Sequence, residues 1–308
     1  MESSTFTLRP TESTELFVYR WVPKSGPKAV VQIAHGLAEH AGRYRRLAEA
    51  LAGAGYAVYA NDHRGHGRSA AKQDDLGWFA DHDGWDKCVE DLWQINDCIA
   101  RDHPGLPIVL LGNCIGSFMA QQFIAEYGES LAGVVLSGSG GMLPTWLRVV
   151  GAIARIERLL QGPRGKSKIL AHLTFGRFNK QFLPARTAFD WLSRDEAEVD
   201  RYIADPLCAF PLTAQLVIDV IGGIDHVARP CLQARVPATL AVHIIAGTRD
   251  PVSAGTKTLL QLLADYRAAG LQQVTHRFYP EARHELFNET NRAEVTRDVI
   301  GWLDALIG

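Results

Sequence analysis

The sequence lacks a paired-cysteine pattern, a long apolar run and an excess of charge of either sign. Its five cysteines are widely spaced and form no CxxC pair, which argues against a disulfide framework and a thiolate zinc site. No stretch approaches the roughly 18 consecutive apolar residues of a membrane span, so we expect no transmembrane segment. With 32 basic and 34 acidic side chains, no nucleic-acid partner is expected either.

The amino terminus also lacks the features of an export signal. "MESSTFTLRPTESTELF" has acidic and hydroxyl side chains where such a signal needs a basic start and an apolar core. Unpaired cysteines fit a reducing compartment, and we therefore expect a cytoplasmic location. The near-neutral charge balance, with a sequence pI near 6.6, favours a globular protein acting on a small or neutral substrate. No cofactor and no metal site is predicted.

What the sequence does have is a regular alternation of strand and helix patterns. Residues 5–9 and 15–22 alternate apolar and polar side chains around "PTEST", which predicts an antiparallel pair. Nearly continuous apolar runs, typical of strands covered on both faces, follow at 29–35, 56–62, 108–112, 133–138, 240–247 and 274–280. Helical patterns lie between them at 43–54, 84–102, 115–128, 255–269 and 291–306. The alternation predicts an α/β fold with a mostly parallel, eight-stranded sheet flanked by helices.

The alternation stops between residues 139 and 235, which predicts a helical cap inserted between core segments 1–138 and 236–308. The first cap segment, 144–160, repeats apolar residues at helical spacing: Trp146, Val149, Val150, Ile153, Ile156 and Leu160. This pattern predicts a lid helix packed on the core through that face. Alternatively, the same face also meets acyl chains or a membrane surface, and transient membrane contact is compatible with the basic residues Arg148, Arg155, Arg158, Arg164, Lys166 and Lys168.

The segment "LLGNCIGS" joins a strand pattern directly to a helix pattern. Gly112, Asn113, Cys114, Ile115 and Gly116 form a G-x-nucleophile-x-G arrangement, which in this context predicts a strand-to-helix elbow. Glycines flank such an elbow because strand and helix pass too closely for a Cβ atom. The elbow places Cys114 at a helix amino terminus, where the helix dipole favours a thiolate. We therefore predict that Cys114 is a nucleophile.

A nucleophile needs a base, and the base needs an acid that orients it. "IIAGTRDPVS" places Asp250 just after a strand, and "FYPEARHELFNE" places His284 after the last strand. The order Cys114, Asp250, His284 is that of α/β-hydrolase triads. His63 and His66 are interpreted as structural loop residues, because no third ligand or carboxylate cluster accompanies them.

The segment "HGLAEH", 35–40, ends the first parallel strand. Gly36 allows the chain to turn, so that the N–H groups of Leu37 and Ile115 are the expected pair of oxyanion donors. His35 and Gly36, together with Gly112, Asn113 and Gly116, are expected to shape the elbow and the substrate pocket.

Five ordered motifs resemble those of the monoacylglycerol lipase and bacterial lysophospholipase group of α/β-hydrolases. "HGLAEHAGRY" is similar to the group's HG-x-x-EH-x-x-RY segment, and "NDHRGHGRS" to its D-x-RGHG-x-S loop. "LLGNCIGS" is similar to its GHSMG elbow, and "AGTRDPVS" and "YPEARHELFNE" to its acid and histidine segments; "FDWLSRD" and "YIADPLC" extend the likeness into the cap. The resemblance implies triad roles for Cys114, Asp250 and His284, oxyanion amides at Leu37 and Ile115, and a small-molecule acyl substrate.

The elbow departs from that group, because Asn113, Cys114 and Ile115 replace its His-Ser-Met. All three positions differ together, which favours a natural cysteine. Sulfur leaves a tetrahedral adduct more readily than an alkoxide does, so forward reaction needs a proton from His284 or an activated acyl donor. The leading hypothesis is an acyl-ester hydrolase with an acyl-cysteine intermediate. An acyltransferase or thioesterase is the second, and a catalytically silent lipid-binding protein the third.

Overall fold

Eight strands form one sheet in the computed structural model, which describes residues 1–11, 14–142 and 144–308. The strand order is β1-β2-β4-β3-β5-β6-β7-β8. The strands are β1 Glu2–Thr11, β2 Thr14–Val22, β3 Ala29–Ala34, β4 Tyr56–Asn61, β5 Ile108–Asn113, β6 Gly133–Ser137, β7 Ala241–Gly247 and β8 Val274–Tyr279. β1 and β2 pair antiparallel, as predicted, while the turn predicted between them falls partly on residues 12 and 13, outside the described residues.

The six strands from β3 to β8 are parallel, and α-helices connect them. The helices of the core are α1 Arg45–Gly53, α2 Gly84–Asp102, α3 Ile115–Tyr127, α9 Lys257–Ala268 and α10 Arg292–Ile307. Each corresponds to a helical pattern in the sequence, so the predicted α/β-hydrolase architecture with its eight-stranded sheet is confirmed.

The hydrophobic core lies on both faces of the sheet. Along β3, Val30 and Ala34 pack on the side of α2 and α3, whereas Val31 and Ile33 pack on the side of α1 and α10. Successive side chains of a strand point to opposite faces, so a strand buried on both sides is apolar throughout. This explains why the central strands read as continuous apolar runs.

Between β6 and β7 the described chain is helical. The helices are α4 Thr145–Gln161, α5 Lys168–Phe178, α6 Glu196–Ala204, α7 Ala214–Val227 and α8 Pro230–Gln233. They lie within the segment 139–235 that the sequence predicts as a cap. No helix in the described ranges is long and apolar enough to cross a membrane.

The prediction for the buried face of α4 holds for Val150 and for the partly buried Trp146 and Ile153, but it is wrong for the other three residues. Val149, Ile156 and Leu160 are 58–79% exposed, and the buried residues of α4 are Val150, Gly151, Ala154 and Glu157. The small side chains at 151 and 154 let α7 approach, since a Cβ on Gly151 would lie only 3.4 Å from Ile221. Close helix packing therefore selects the face with small residues and leaves the larger apolar ones in solvent. The side chain of Lys168, predicted as part of a basic surface, lies outside the described residues.

Candidate active site

The turn between β5 and α3 presents Cys114 at the carboxyl ends of the parallel strands. Its backbone angles are φ 53° and ψ −124°, a left-handed φ that is strained for a residue with a side chain. The turn is held because the Cys114 N–H donates to Ser137 O, at the end of β6, over 3.0 Å. The strand-turn-helix elbow is therefore present, and the Cys114 side chain is half-buried.

Gly112 and Gly116 stand where no side chain fits. A Cβ on Gly112 would lie 2.4 Å from Gly116 O, and a Cβ on Gly116 would lie 2.2 Å from Ala34 O. Both obstacles are backbone atoms, which cannot rotate aside as a flexible side chain can. The glycines allow β3, β5 and α3 to pass one another at the distance that the elbow requires.

Asp250 and His284 form a buried pair in the loops after β7 and β8. Both carboxylate oxygens of Asp250 lie 3.0 Å from His284 Nδ1, and the two residues are 0% and 1% exposed. Nδ1–H donates to the carboxylate, which leaves Nε2 as the outward-facing nitrogen. Nε2 has no hydrogen-bond partner with ordinary geometry in the described part of the chain.

Cys114 is close enough to influence this histidine. Burial acts to lower the pKa of His284, but the charge of Asp250 and then that of Cys114 outweigh it and hold the pKa well above its usual value. Gly138 also borders the imidazole, because a Cβ there would lie 2.9 Å from His284 Cε1. The structure thus brings together the cysteine, aspartate and histidine that the sequence singles out.

The N–H of Leu37 is free in a loop whose neighbouring amides are engaged. Gly36 N–H donates to Glu39 Oε1 at 2.6 Å, and Ala38 N–H donates to His66 Nε2 at 3.3 Å. Within the described residues, Leu37 N–H and Ile115 N–H have no partner. A Cβ on Gly36 would lie 3.0 Å from Cys114 Cβ, so this loop touches the elbow directly. Leu37 and Ile115 therefore lie in the loop and the turn that meet at Cys114, and an oxyanion hole at these two amides stays a prediction.

Three buried histidines support the loop without entering the cavity. His35 Nδ1–H donates to Gly36 O at 2.7 Å, and its Nε2 accepts the N–H of His63 at 2.9 Å. Burial lowers the pKa of His63 to about 3 and that of His66 to about 4, so these rings are neutral. The structural interpretation of His63 and His66 agrees with these contacts, and His35 belongs with them rather than with the pocket wall.

The sequence patterns did not predict the charged network that lies beside the elbow. Glu39 Oε1 accepts hydrogen bonds from Gly36 N–H and from Tyr44 at 2.7 Å, and Arg43 bridges Glu39 and Glu285. Glu285 directly follows His284 in the chain, so the network ties the oxyanion loop to the histidine loop. The only signal in the sequence was the "HGLAEHAGRY" likeness, a segment that contains Gly36, Glu39, Arg43 and Tyr44.

A largely apolar cavity opens at Cys114. Its polar lining residues include Glu39, Asn113, His284 and Glu285, all of them next to the elbow in sequence or contact. Most of the remaining wall is apolar and comes from α4, α5 and α7, the helices between β6 and β7 that line it with Leu147, Phe175, Phe178, Leu216, Val217, Val220, Ile221 and Ile224. Gly36, Leu37 and Ile115 also line it, whereas His35, Gly112 and Gly116 do not. The cavity has the apolar lining and the few polar groups of a site for an apolar ligand with one polar end.

Trp191, which precedes α6, is a site residue that the sequence did not single out. Its ring centroid lies 5.0 Å from that of His284, and Trp191 O accepts the His284 N–H at 3.4 Å. Trp191 is buried and lines the cavity, with its indole nitrogen unpartnered by described residues. The signal was present in "FDWLSRD", but nothing local indicates that this tryptophan reaches the histidine.

One group of side chains has the composition of a metal site. His40, Asp205 and Cys208 have ligand atoms within 4.8 Å of one another, the one such group of three or more in the described ranges. His40 Nε2 is already bonded to Asp205 at 3.0 Å, a contact that joins the core to the inserted segment. Burial raises the pKa of the Cys208 thiol, which disfavours the thiolate that a metal would need.

Comparison with known proteins assigns these features to a family. The family model described as serine aminopeptidase S33 matches residues 25–291. A monoacylglycerol lipase of Mycolicibacterium smegmatis is 31% identical, over 92% of this chain and 90% of its own, and human monoglyceride lipase is 30% identical over 90% and 85%. A carboxyl esterase from Bacillus coagulans, solved with glycerol, has the same fold, with a TM-score of 0.92 at 24% identity and complete coverage of both chains.

Proposed function

The chain belongs to the serine aminopeptidase S33 family and is an ester-hydrolysing α/β-hydrolase; we propose that it cleaves monoacylglycerol-type esters through an acyl-cysteine intermediate. The observation that carries this proposal is the hydrogen-bonded pair of Asp250 and His284, whose imidazole is under the influence of the Cys114 charge and lines the same apolar cavity as Cys114. The names of the relatives, monoacylglycerol lipase and monoglyceride lipase, support the substrate class.

In the first half of the reaction, the sulfur of Cys114 adds to the ester carbonyl carbon. The N–H groups of Leu37 and Ile115 receive the negative oxygen of the tetrahedral adduct. The protonated His284 then gives its Nε2 proton to the alcohol oxygen, the carbon–oxygen bond breaks and an acyl thioester remains on Cys114. The raised pKa of His284 suits this step, because the imidazolium must persist until the alcohol departs.

In the second half, water replaces the alcohol. His284, now neutral, takes a proton from the water as its oxygen attacks the thioester carbonyl. The adduct collapses by breaking the carbon–sulfur bond, which releases the carboxylic acid and returns Cys114 and His284 to their starting charges. Asp250 stays ionised throughout and keeps Nε2 turned towards the substrate.

The lining of the cavity supports an acyl chain at one end and a small polar alcohol at the other. Val217, Val220 and Ile221 of α7 offer apolar contact. Glu39 and Glu285 offer carboxylate oxygens that accept hydrogen bonds from hydroxyl groups, as a glycerol leaving group would require.

The exposed apolar face of α4 supports transient contact with a membrane surface. Val149, Ile156, Leu159 and Leu160 are 58–82% exposed on this helix. An amphipathic helix of this kind lies in a membrane interface with its apolar side chains buried among lipids. Such contact would bring the cavity mouth to its substrate. A cytoplasmic location stays a prediction from the sequence.

Intact mass spectrometry tests the mechanism. After brief incubation with p-nitrophenyl butyrate, the native chain is expected to gain one butyryl group, and peptide mapping should locate it on Cys114. Cys114→Ala should gain none, while Cys231→Ser, which removes an exposed thiol away from the cavity, should gain it as the native chain does. The absence of an adduct on the native chain, or an adduct that persists in Cys114→Ala, contradicts the proposal.

A second candidate is acyl transfer or thioester hydrolysis, and the sulfur of Cys114 favours it. A thioester intermediate can pass its acyl group to an amine, an alcohol or a thiol as well as to water. The partition of a preformed butyryl-enzyme between water and added glycerol distinguishes the two. Undiminished release of butyrate at every glycerol concentration counts against transfer, and formation of butyrylglycerol supports it.

A further inference from the structure

An open polar groove lies between the helices that follow β6 and the first residues of α2, separate from the Cys114 cavity. Its walls are the first residues of α2, part of α4 and one side of α7. Its charged lining residues are Asp83, Asp86, Asp219, Arg155, Arg158 and Arg229. Within the described chain it shares no lining residue with the cavity. The mechanism above uses none of these side chains.

Three buried polar atoms of the groove lack hydrogen-bond partners among the described residues. They are Gln215 Oε1, Asp219 Oδ2 and Arg158 Nε. Gln215 is 6% exposed, and its Nε2 donates to Asp219 Oδ1 at 2.7 Å, which leaves Oε1 as the free acceptor. The reverse amide orientation would set two oxygens against each other. Buried polar groups are normally paired, so three unpaired atoms in one groove call for an occupant that pairs them.

The charges of the groove are only partly matched. Among the described residues, no carboxylate oxygen lies within 4 Å of the Arg155 or Arg158 guanidinium, although the charge of Arg158 acts to lower the pKa of Asp219, and Arg229 pairs with Asp225 at 3.6 Å. Asp83 precedes α2 with a left-handed φ of 56° and makes no capping hydrogen bond with its side chain. Two guanidinium groups and at least one carboxylate are therefore available to a ligand.

Asp219 sits in the most constrained position of the groove. A Cβ on Gly84, the first residue of α2, would lie 2.3 Å from Asp219 Oδ2, so only glycine leaves room for this carboxylate. Burial raises the pKa of Asp219 to about 7 against the hydrogen bond from Gln215 and the charge of Arg158, and the charges of Asp83 and Asp86 add to the rise. A positive group beside Asp219 would offset both effects.

We propose that this groove is a second ligand site that binds a small zwitterion, with an ammonium group at Asp219 and Gln215 and an anionic group at Arg155 and Arg158. An ammonium group has three donors and no acceptor, which matches the two free oxygens. A guanidinium group donates in a planar fork to a carboxylate or a phosphate. The ligand thus supplies both charges and every missing hydrogen bond.

One helix, α7, borders both the groove and the Cys114 cavity. α7 lines the cavity with Val217, Val220 and Ile221 on one face and the groove with Gln215 and Asp219 on another. A ligand that binds only the folded chain stabilises it, so occupancy is expected to raise the melting temperature of the protein.

Calorimetric titration of the full chain tests the proposal with four probes. Phosphoethanolamine and γ-aminobutyrate each carry an ammonium and an anionic group, whereas the single-charge probes, ethanolamine and inorganic phosphate, carry charge of one sign only. At least one zwitterion should bind tenfold or more tightly than both single-charge probes, and the tighter zwitterion identifies the anionic group. Failure of both zwitterions to bind the native chain, or equal binding by phosphate alone, overturns the proposal.

Gly222 offers a matched pair of variants that leave every charge in place. No atom lies within 4 Å of a Cβ built on this groove residue, so Gly222→Phe fills the groove and Gly222→Ala leaves it open. Gly222→Phe should weaken zwitterion binding at least tenfold and Gly222→Ala less than twofold. Arg158→Gln and Asp219→Asn should each weaken it at least tenfold. Circular dichroism melting establishes that each variant is folded, and unchanged affinity in folded Gly222→Phe contradicts the site.

Discussion

The indole ring of Trp191 lies 5.0 Å from the imidazole ring of His284, centroid to centroid. The inserted segment therefore touches the histidine of the candidate triad, in addition to lining the cavity. The backbone reinforces this contact, because Glu285 N–H donates to Leu192 O at 2.8 Å. The position of the histidine loop thus depends on the inserted segment being in place.

Trp191→Phe should show whether activity depends on the aromatic ring of Trp191 or on its indole N–H. Phenylalanine keeps an aromatic ring against His284, so we expect its kcat on p-nitrophenyl butyrate to stay within about threefold of native. Trp191→Ala loses the ring and leaves a cavity, which costs about 3–5 kcal/mol in unfolding free energy and should lower kcat strongly. Urea unfolding and steady-state kinetics measure both, and equal kcat values for the two variants would contradict the positioning role.

Asp250→Asn should lower kcat by about 10³–10⁴-fold while the fold persists. The charge of Asp250 raises the pKa of His284, so the protonated histidine stabilises the folded state most below the unfolded value of about 6.5. This contribution is lost as pH rises through the folded pKa. The unfolding free energy of the variant should therefore lie furthest below that of the native chain at pH 6 and approach the native value at high pH. A deficit that is independent of pH would argue against the ion pair.

Cys114→Ser should change the shape of the pH profile as well as the rate. In the proposed mechanism protonated His284 must give a proton to the departing alcohol of an unactivated ester, so the native rate should fall as pH rises through the raised pKa of His284. A serine hydroxyl needs neutral His284 as its base, so the variant's rate should rise with pH over the same step. Single-turnover acylation by monobutyrylglycerol, whose glycerol must be protonated as it leaves, measures both from pH 5 to 10, and parallel profiles would contradict a thiolate–imidazolium pair.

Gly116→Ala should destabilise the protein and impair the elbow. Its methyl group would lie 2.2 Å from Ala34 O and 2.6 Å from His35 O, so β3 and α3 must separate. We expect a loss of about 1–3 kcal/mol or more in urea unfolding, with reduced acylation of Cys114. Gly301→Ala in α10 is the matched control, because no atom lies within 4 Å of its Cβ. It should be neutral or stabilising by up to about 1 kcal/mol.

The double variant Leu159→Ser, Leu160→Ser should weaken binding to lipid vesicles at least tenfold. Both side chains are about 80% exposed on α4, and each loses roughly 1.5–3 kcal/mol of apolar transfer energy when replaced. Leu260→Ser, at an exposed leucine of α9 in the core, is the control and should bind as native does. Sedimentation with phosphatidylcholine vesicles that contain phosphatidylglycerol measures the difference. Equal sedimentation of all three proteins would remove α4 from the membrane contact.

Much of the fold and of the candidate site could be predicted from local patterns. Strands buried on both faces read as continuous apolar runs, and the helices between them fixed the parallel order. The elbow was visible because its glycines must lie two residues before and two residues after the candidate nucleophile. Asp250 and His284 could be selected because the carboxyl ends of parallel strands meet at one edge of a sheet.

The sequence by itself determined the strand–helix alternation and the order of Cys114, Asp250 and His284, since each of these depends on spacing along a single segment. The tertiary structure alone decided which face of α4 is buried, how Arg43 joins Glu39 to Glu285, and that Trp191 covers the imidazole. The physical reason is that these contacts join residues far apart in the chain. Their geometry depends on how closely two helices or loops can approach each other. The sequence of one segment does not show which other segment will pack against it.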